Sequence, residues 1–260
     1  MRIAYYILSF AMMVCIGCEW KLKPEKSAAE RHTLSVSRYD LIESRYLVTG
    51  DYSALQQMNI AYPMQTRTLI EDVLRIGHVN EPDINLKFLR FFQDSTLQTL
   101  ISDVQTQYED ISDISEELTQ AFHALKEELP GIDLPMIYTQ IGSFDQSIIV
   151  SGNTLGISLD KYLGADYPFY QEHYTPQQRS YMVREMIVPD CLSFYILSLY
   201  PLPDSAHATR RQRDEHMGRI QWVVNQVTGR EVFDNEFVNK AVKLMKKRYG
   251  MNYHLLLRHT

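Results

Sequence analysis

The segment LPMIYTQIGSFDQSIIVSGNTLGISLD (residues 134–160) decides the fold class, because its residue composition and periodicity differ from those of the sequence on either side. It contains three short runs rich in β-branched and aromatic residues, at 134–142, 147–153 and 154–160. Gly-Ser and Gly-Asn pairs, which are typical of tight turns, separate the runs. The pattern predicts a small antiparallel sheet over about residues 134–159.

Helical periodicity flanks this segment on both sides. It occurs, in several pieces, in the ranges 41–129, 176–199, 208–227 and 235–249. An alternating run at 34–40 predicts one more short strand. Helices before and after a small sheet indicate an α+β fold, so we predict a mostly helical single domain over residues 34–260.

The chain begins with MRIAYYILSFAMMVCIGC (1–18), which has the composition of a secretory signal. Arg2 precedes an apolar run that is too short to span a bilayer as a helix, since about 20 apolar residues are needed. The run ends in Ile-Gly-Cys, which resembles the lipobox of bacterial lipoproteins. We therefore predict a signal peptide over 1–17 and attachment of palmitate-type acyl chains to Cys18.

Other interpretations of the N-terminus remain open. A plain signal peptide or an uncleaved anchor would also explain the apolar run, and Cys15 is a second thiol there. Val14 before Cys15 is bulky for a cleavage site, which favours Cys18. The polar residues 18–33 are expected to form a tether that separates the domain from the lipid surface.

Composition narrows the class of partner. The full chain has a formal net charge of −6, and removal of residues 1–17 with their one arginine makes it −7. This mild acidic excess argues against nucleic acid as a partner. Cys191 is the last cysteine after Cys18, so no disulfide framework is expected. It lies in an apolar run, where we expect an inert buried thiol.

One stretch resembles a metallopeptidase motif with both metal ligands replaced. The sequence Arg184-Glu185-Met186-Ile187-Val188 aligns with H-E-x-x-H, in which two histidines one helical turn apart bind zinc and the glutamate is the general base. A guanidinium offers no lone pair to a cation, and a valine offers no ligand atom. We therefore predict no metal site and no cofactor, and leave open whether the chain is an enzyme, with a non-catalytic role favoured.

An aromatic segment between Leu159 and Tyr174 is the best candidate for a ligand or partner site. It combines two carboxylates with five rings: Asp160, Tyr162, Asp166, Tyr167, Phe169, Tyr170 and Tyr174. Such segments beside a sheet can line grooves; the alternative is that the rings fill the end of the sheet as core. We expect Asp160 to cap the following turn and Gly164 to end that turn at a positive φ.

Asp190 stands at the start of the apolar run that contains Cys191. A carboxylate in such a place needs a partner, because an isolated buried charge is very costly. Arg184 or Arg38 is the expected partner in a structural ion pair.

Several blocks resemble the GldB family of gliding-motility-associated lipoproteins from Bacteroidetes. They are SRYD (37–40), AYP (61–63) and above all LPMIYTQIGSFDQSIIVSGNTLGISLDKYLGADYPFY (134–170). The resemblance extends from about residue 34 to about residue 200. It implies a lipoprotein with a role in surface gliding, and it assigns no catalytic residue. The predicted order of a small sheet followed by a helix also resembles, more distantly, that of the zincin peptidases.

From these observations we expect a lipoprotein of the outer membrane that faces the periplasm. No acidic run follows Cys18, whereas surface-exported lipoproteins of these bacteria typically carry one there. The expected role is a non-catalytic scaffold or accessory subunit of an envelope machine, with envelope proteins as partners. The alternative is an envelope hydrolase of zincin-like ancestry whose metal ligands are unrecognised.

Overall fold

The computed structural model of the protein describes residues 34–247 and 250–259. The predicted signal peptide, Cys18 and the tether lie outside the described residues. The described part is mostly helical with one small sheet, so the prediction of an α+β fold is confirmed. Within it, no helix is both long enough and apolar enough to cross a membrane.

A short strand and six helices precede the sheet segment. They are β1 (Val36–Ser37), α1 (Tyr39–Thr49), α2 (Tyr52–Ala61), α3 (Pro63–Arg67), α4 (Ile84–Phe91), α5 (Ser95–Gln107) and α6 (Ser112–Glu128), with a π-helical turn at Thr68–Val73 after α3. The strand predicted over 34–40 is only two residues long, because helix α1 already begins at Tyr39.

The remaining strands follow directly. They are β2 (Met136–Gln140), β3 (Ile148–Ser151) and β4 (Thr154–Ser158). Gly152 and Asn153 connect β3 to β4 as an antiparallel hairpin, and Gly152 has a φ of 55°, as a Gly-Asn turn requires.

The sheet is mixed, which corrects the prediction of an antiparallel meander. Its strand order is β1-β2-β4-β3, and β2 pairs in parallel with both β1 and β4. Because β4 inserts between β2 and β3, the connection at 141–147 must pass over the carboxyl end of β4. Local sequence patterns indicate the strands, but this crossing determines their order.

Helices return after the sheet. They are α7 (Pro168–His173), α8 (Pro176–Arg179), α9 (Ile187–Leu199), α10 (Arg210–Thr228), α11 (Glu236–Lys247) and α12 (Tyr253–Leu257). The predicted helix 176–199 is thus interrupted, and a 3₁₀ turn at Arg184–Met186 precedes α9. Pro189 lies in the first turn of α9, where a missing backbone N–H costs no hydrogen bond.

The core lies between the sheet and the helices. Helix α1 packs on β2, α9 packs on β3 and β4, and α6 packs on α9 and α10. Fully buried rings contribute much of it: Tyr39, Phe88, Phe92, Tyr108, Phe122, Tyr162, Tyr170 and Tyr195. Cys191 is buried in the same core, as its apolar neighbours predict.

Candidate functional site

Asp160 follows β4 and lies under the connection that passes over the end of that strand. Its buried carboxylate accepts hydrogen bonds of 2.6 Å from the backbone N–H groups of Gly142 and Phe144. The predicted cap is therefore wrong: the turn at Leu159–Lys161 has no side-chain cap, and Asp160 holds the loop above it instead. Gly164 does have a positive φ, 111°, although the turn already ends at Lys161.

The loop at 141–147, which Asp160 holds through two hydrogen bonds (the Asp160 clamp), has an unusual backbone conformation. Ser143 and Phe144 have φ values of 54° and 67°, a left-handed conformation that non-glycine residues rarely adopt. Burial raises the pKa of Asp160, while the N–H groups of Gly142 and Phe144 act against that shift. We infer that these two hydrogen bonds maintain the left-handed loop.

Two tyrosines of the candidate segment are core residues. Tyr170 is fully buried, and its hydroxyl donates a short hydrogen bond to the backbone carbonyl of Asp160 and accepts one of 3.2 Å from the N–H of Leu163. Tyr162 is also buried, and its carbonyl accepts a hydrogen bond from the hydroxyl of Tyr108. For these two rings the core interpretation applies.

The other three rings of the candidate segment are only partly buried. Phe144 stacks on Phe169 with centroids 3.9 Å apart, and Phe169 stacks on His173 at 4.1 Å. We call Phe144, Phe169 and His173 the ring ladder; it runs from the buried Phe144 to the exposed His173. The half-buried Tyr167 donates a hydrogen bond of 2.9 Å to Asp103.

Charged side chains hold both parts of the candidate segment against neighbouring residues. Lys161 donates to the carbonyl of Phe144 at 2.9 Å and to the hydroxyl of Tyr174 at 3.1 Å. Asp166 is almost completely exposed, with its carboxylate 3.8 Å from Arg179. Contacts at both ends therefore hold the candidate segment in place, and its outer surface exposes His173, Asp166 and part of Phe169.

Asp190 has a different partner from the one predicted. Its Oδ2 accepts a hydrogen bond of 2.8 Å from the hydroxyl of Tyr162, and burial raises its pKa to about 6. Arg184 instead pairs with Asp113 at 2.6 Å, and Arg38 pairs with Asp40 at 2.8 Å. The predicted ion pair of Asp190 with either arginine is therefore wrong.

The stretch that resembles H-E-x-x-H does not form one regular helix. Arg184 lies in the 3₁₀ turn and Val188 is buried in the first turn of α9, so the two motif positions lie on different elements. Glu185 is exposed. Among residues 34–247 and 250–259, no three His, Cys, Asp or Glu side chains are grouped so that they could hold a metal ion.

Helix α1 buries two acids that sequence reasoning did not single out. Asp40 accepts a short hydrogen bond from the hydroxyl of Thr139, and Oε2 of Glu43 accepts one of 3.0 Å from the N–H of Ile141. Burial raises the pKa of Glu43 well above its usual range; Asp40 and Asp160 add to the shift, and the Ile141 N–H opposes it. An aspartate and a glutamate three residues apart at the start of a helix usually face water, so the local pattern was misleading.

The sequence also did not reveal a cleft with a volume of about 730 Å³. It lies between the end of α6, the β3–β4 turn, the end of α9 and α12. Tyr200 and His254, joined by a hydrogen bond of 2.9 Å, line it together with Arg258. No residue of the candidate segment contributes to this cleft. Its lining comes from distant parts of the chain, which only the fold brings together.

Comparison with known proteins gives one match. A family model described as "Gliding motility protein GldB" matches residues 19–229. No curated protein and no solved structure matches the chain.

Proposed function

The chain belongs to the GldB family of gliding motility lipoproteins, and from this membership we propose that it is a non-catalytic scaffold or accessory subunit of a cell-envelope machine. In this proposal Cys18 anchors it to the outer membrane, and the domain faces the periplasm. The lipobox-like end of the apolar run supports the anchor, and two or more acyl chains would make it stable. The lack of an acidic run after Cys18 supports the periplasmic side.

The ring ladder is the observation that carries the scaffold role. Its two phenylalanines lie in the block that most resembles the family, and the hydrogen bond from the Phe144 N–H to Asp160 fixes the inner ring. A surface held in one conformation loses little entropy when a partner binds. Aromatic side chains are also enriched among residues that dominate binding energy at protein interfaces. We propose that an envelope protein contacts His173, Phe169 and Asp166.

A crosslinking experiment on the lipidated protein in its host tests this role. A partner crosslinked to the wild type should be lost from the double variant Asp166→Ala/His173→Ala, whose two side chains are exposed, so the fold should persist. Tyr52→Ala is the matched control, because Tyr52 is an exposed ring on α2. Retention of the partner by the double variant, or its loss from the control as well, would contradict the assignment of this surface.

Proteinase treatment of intact cells tests the orientation. If the domain faces the periplasm, it should be degraded only after the outer membrane has been permeabilised. Degradation in intact cells would place the domain on the cell surface.

A further inference from the structure

Arg219 on α10 is a buried cation with unused hydrogen-bonding capacity. It is only 6% exposed and lines a cavity of about 130 Å³. Its Nε has no hydrogen-bond partner among the described residues. Buried hydrogen-bond donors are nearly always paired, so an unpaired donor on a charged side chain needs an explanation.

Among residues 34–247 and 250–259, the hydrogen bond of this guanidinium leads to a neutral group. Nη2 lies 3.3 Å from Nδ1 of His216, and Nε2 of His216 lies 2.8 Å from the carbonyl of Tyr200. Since a carbonyl only accepts, Nε2 carries the hydrogen, and Nδ1 must accept from Arg219. Burial lowers the pKa of His216, which also favours the neutral ring. His216 therefore orients Arg219 and supplies no opposite charge.

The nearest acid is engaged elsewhere. Oε1 of Glu215 lies 3.0 Å from Nε of Arg211 and 3.2 Å from Nζ of Lys240. No carboxylate lies within ion-pairing distance of Arg219 in the described part of the chain. Arginine stays protonated in proteins, so this charge is buried with no carboxylate in contact with it, which is costly; Glu215 attracts it only from a longer distance, and burial still lowers the pKa of Arg219.

We propose that the cavity beside Arg219 is a binding site for a small monocarboxylate, which supplies the missing negative charge. The apolar part of the cavity wall is formed by Leu202, Pro203 and Ala208. A cavity of about 150 Å³ admits one benzene molecule, so this one has room for a carboxylate with a short aliphatic substituent.

The rim of the cavity explains the choice of a singly charged ligand. Asp204 and Glu215 line the cavity and would repel a dianion such as hydrogen phosphate about twice as strongly as a monocarboxylate. Gln212 uses its Oε1 to accept from the N–H of Thr209 at 2.8 Å, as part of the capping box of α10. Its side-chain NH₂ is thereby left as a second donor at the cavity. The site goes beyond the scaffold role and depends on neither the anchor nor the ring ladder.

Thermal unfolding of the full-length protein in a non-ionic detergent tests the proposal. Sodium acetate replaces sodium chloride at constant ionic strength, and the unfolding midpoint should rise saturably by a few degrees, as for any ligand that binds only the folded state. Arg219→Met should abolish the rise, and in chloride alone its midpoint should be at or above that of the wild type. Arg210→Gln, which removes an exposed cation from the same helix, should keep the rise.

Further measurements keep the test decisive. If Arg219→Met fails to fold, the Nε–H resonance of a buried arginine in the ¹⁵N-labelled wild type should still shift saturably with acetate. No response of the wild type, an equal response of Arg219→Met, or a response to phosphate in place of acetate would overturn the proposal. N-acetylalanine identifies the source of the carboxylate: markedly tighter binding than acetate supports a peptide terminus, and equal binding supports a free acid.

Discussion

Oδ2 of Asp160 lies 2.6 Å from the backbone nitrogen of Phe144, sixteen residues earlier in the chain. This contact joins the end of β4 to the loop that passes over it. The same loop carries Phe144, so the contact also positions the inner ring of the ring ladder. A carboxylate is needed there because it accepts from two N–H groups at once, those of Gly142 and Phe144.

Asp160→Asn should therefore destabilise the protein substantially. The amide offers one acceptor and turns an NH₂ group toward the second N–H, so a buried donor is left unpaired. We expect a loss of about 1–3 kcal/mol in the free energy of unfolding, measured with urea. Asp166→Asn, an exposed change in the same segment, is the control and should cost at most about 0.5 kcal/mol. Equal losses in both variants would show that the loop keeps its shape without the clamp.

Asp190 should make stability depend on pH. Its pKa is raised to about 6 in the folded state, whereas aspartate in an unfolded chain titrates near 3.9. The folded state therefore holds a proton that the unfolded state has lost, and stability falls as the pH rises through this window. Relative to Asp190→Asn, the wild type should lose roughly 2 kcal/mol between about pH 4 and pH 7.

Tyr162→Phe provides an independent check on Asp190. The tyrosine hydroxyl stabilises the charged carboxylate, so its removal should raise the pKa of Asp190 further, which ¹³C NMR of the carboxyl carbon can follow. An unchanged titration would mean that the hydrogen bond does not form in solution.

Glu43 should behave in the same direction for the same reason, which is burial. Its Oε1 is buried without a hydrogen-bond partner among the described residues, so protonation costs no bond. Because burial raises its pKa in the folded state, stability is retained at low pH and lost as the pH rises above about 4.3. Glu43→Gln mimics the protonated form, so its stability relative to the wild type should grow with pH in urea titrations. A pH-independent loss in Glu43→Gln would indicate an ionised Glu43.

The parts of this fold that sequence reasoning predicted are those that local chemistry decides. A Gly-Asn turn between two β-rich runs produced the β3–β4 hairpin, and the helical periodicity of residues 208–227 became α10 (Arg210–Thr228). The strand order depends instead on the path of the 141–147 connection, whose Gly142 contacts Asp160 eighteen residues later in the chain. Neither spacing nor propensity records such a contact.

Partners of charged groups were predicted least well, for the same reason. Arg184 pairs with Asp113, which is 71 residues away, although Asp190 is its near neighbour in sequence. The aromatic segment divided in a similar way, because Tyr170 packs inward to bond Asp160 while Phe169 beside it extends the ring ladder. Only the three-dimensional path of the loop separates these two roles.

Glu185→Gln should leave the function of the protein in its host unchanged. The side chain is exposed, and its neighbours at the two motif ligand positions, Arg184 and Val188, cannot bind zinc. Zinc analysis of the gently purified protein should find less than one ion per chain. Loss of function in a folded Glu185→Gln protein, or stoichiometric zinc, would instead support the hydrolase alternative.

Cys18→Ser should abolish acylation. The lipid is attached through a thiol, and a serine hydroxyl at neutral pH is a far weaker nucleophile than a cysteine, a few per cent of which is thiolate. The variant should fail to incorporate a fatty-acid probe and should leave the membrane fraction or remain unprocessed. Cys15→Ser is the matched control, three residues away in the same apolar run, and should label normally. Labelling that survives in Cys18→Ser and disappears in Cys15→Ser would move the anchor to Cys15 and shift the start of the tether with it.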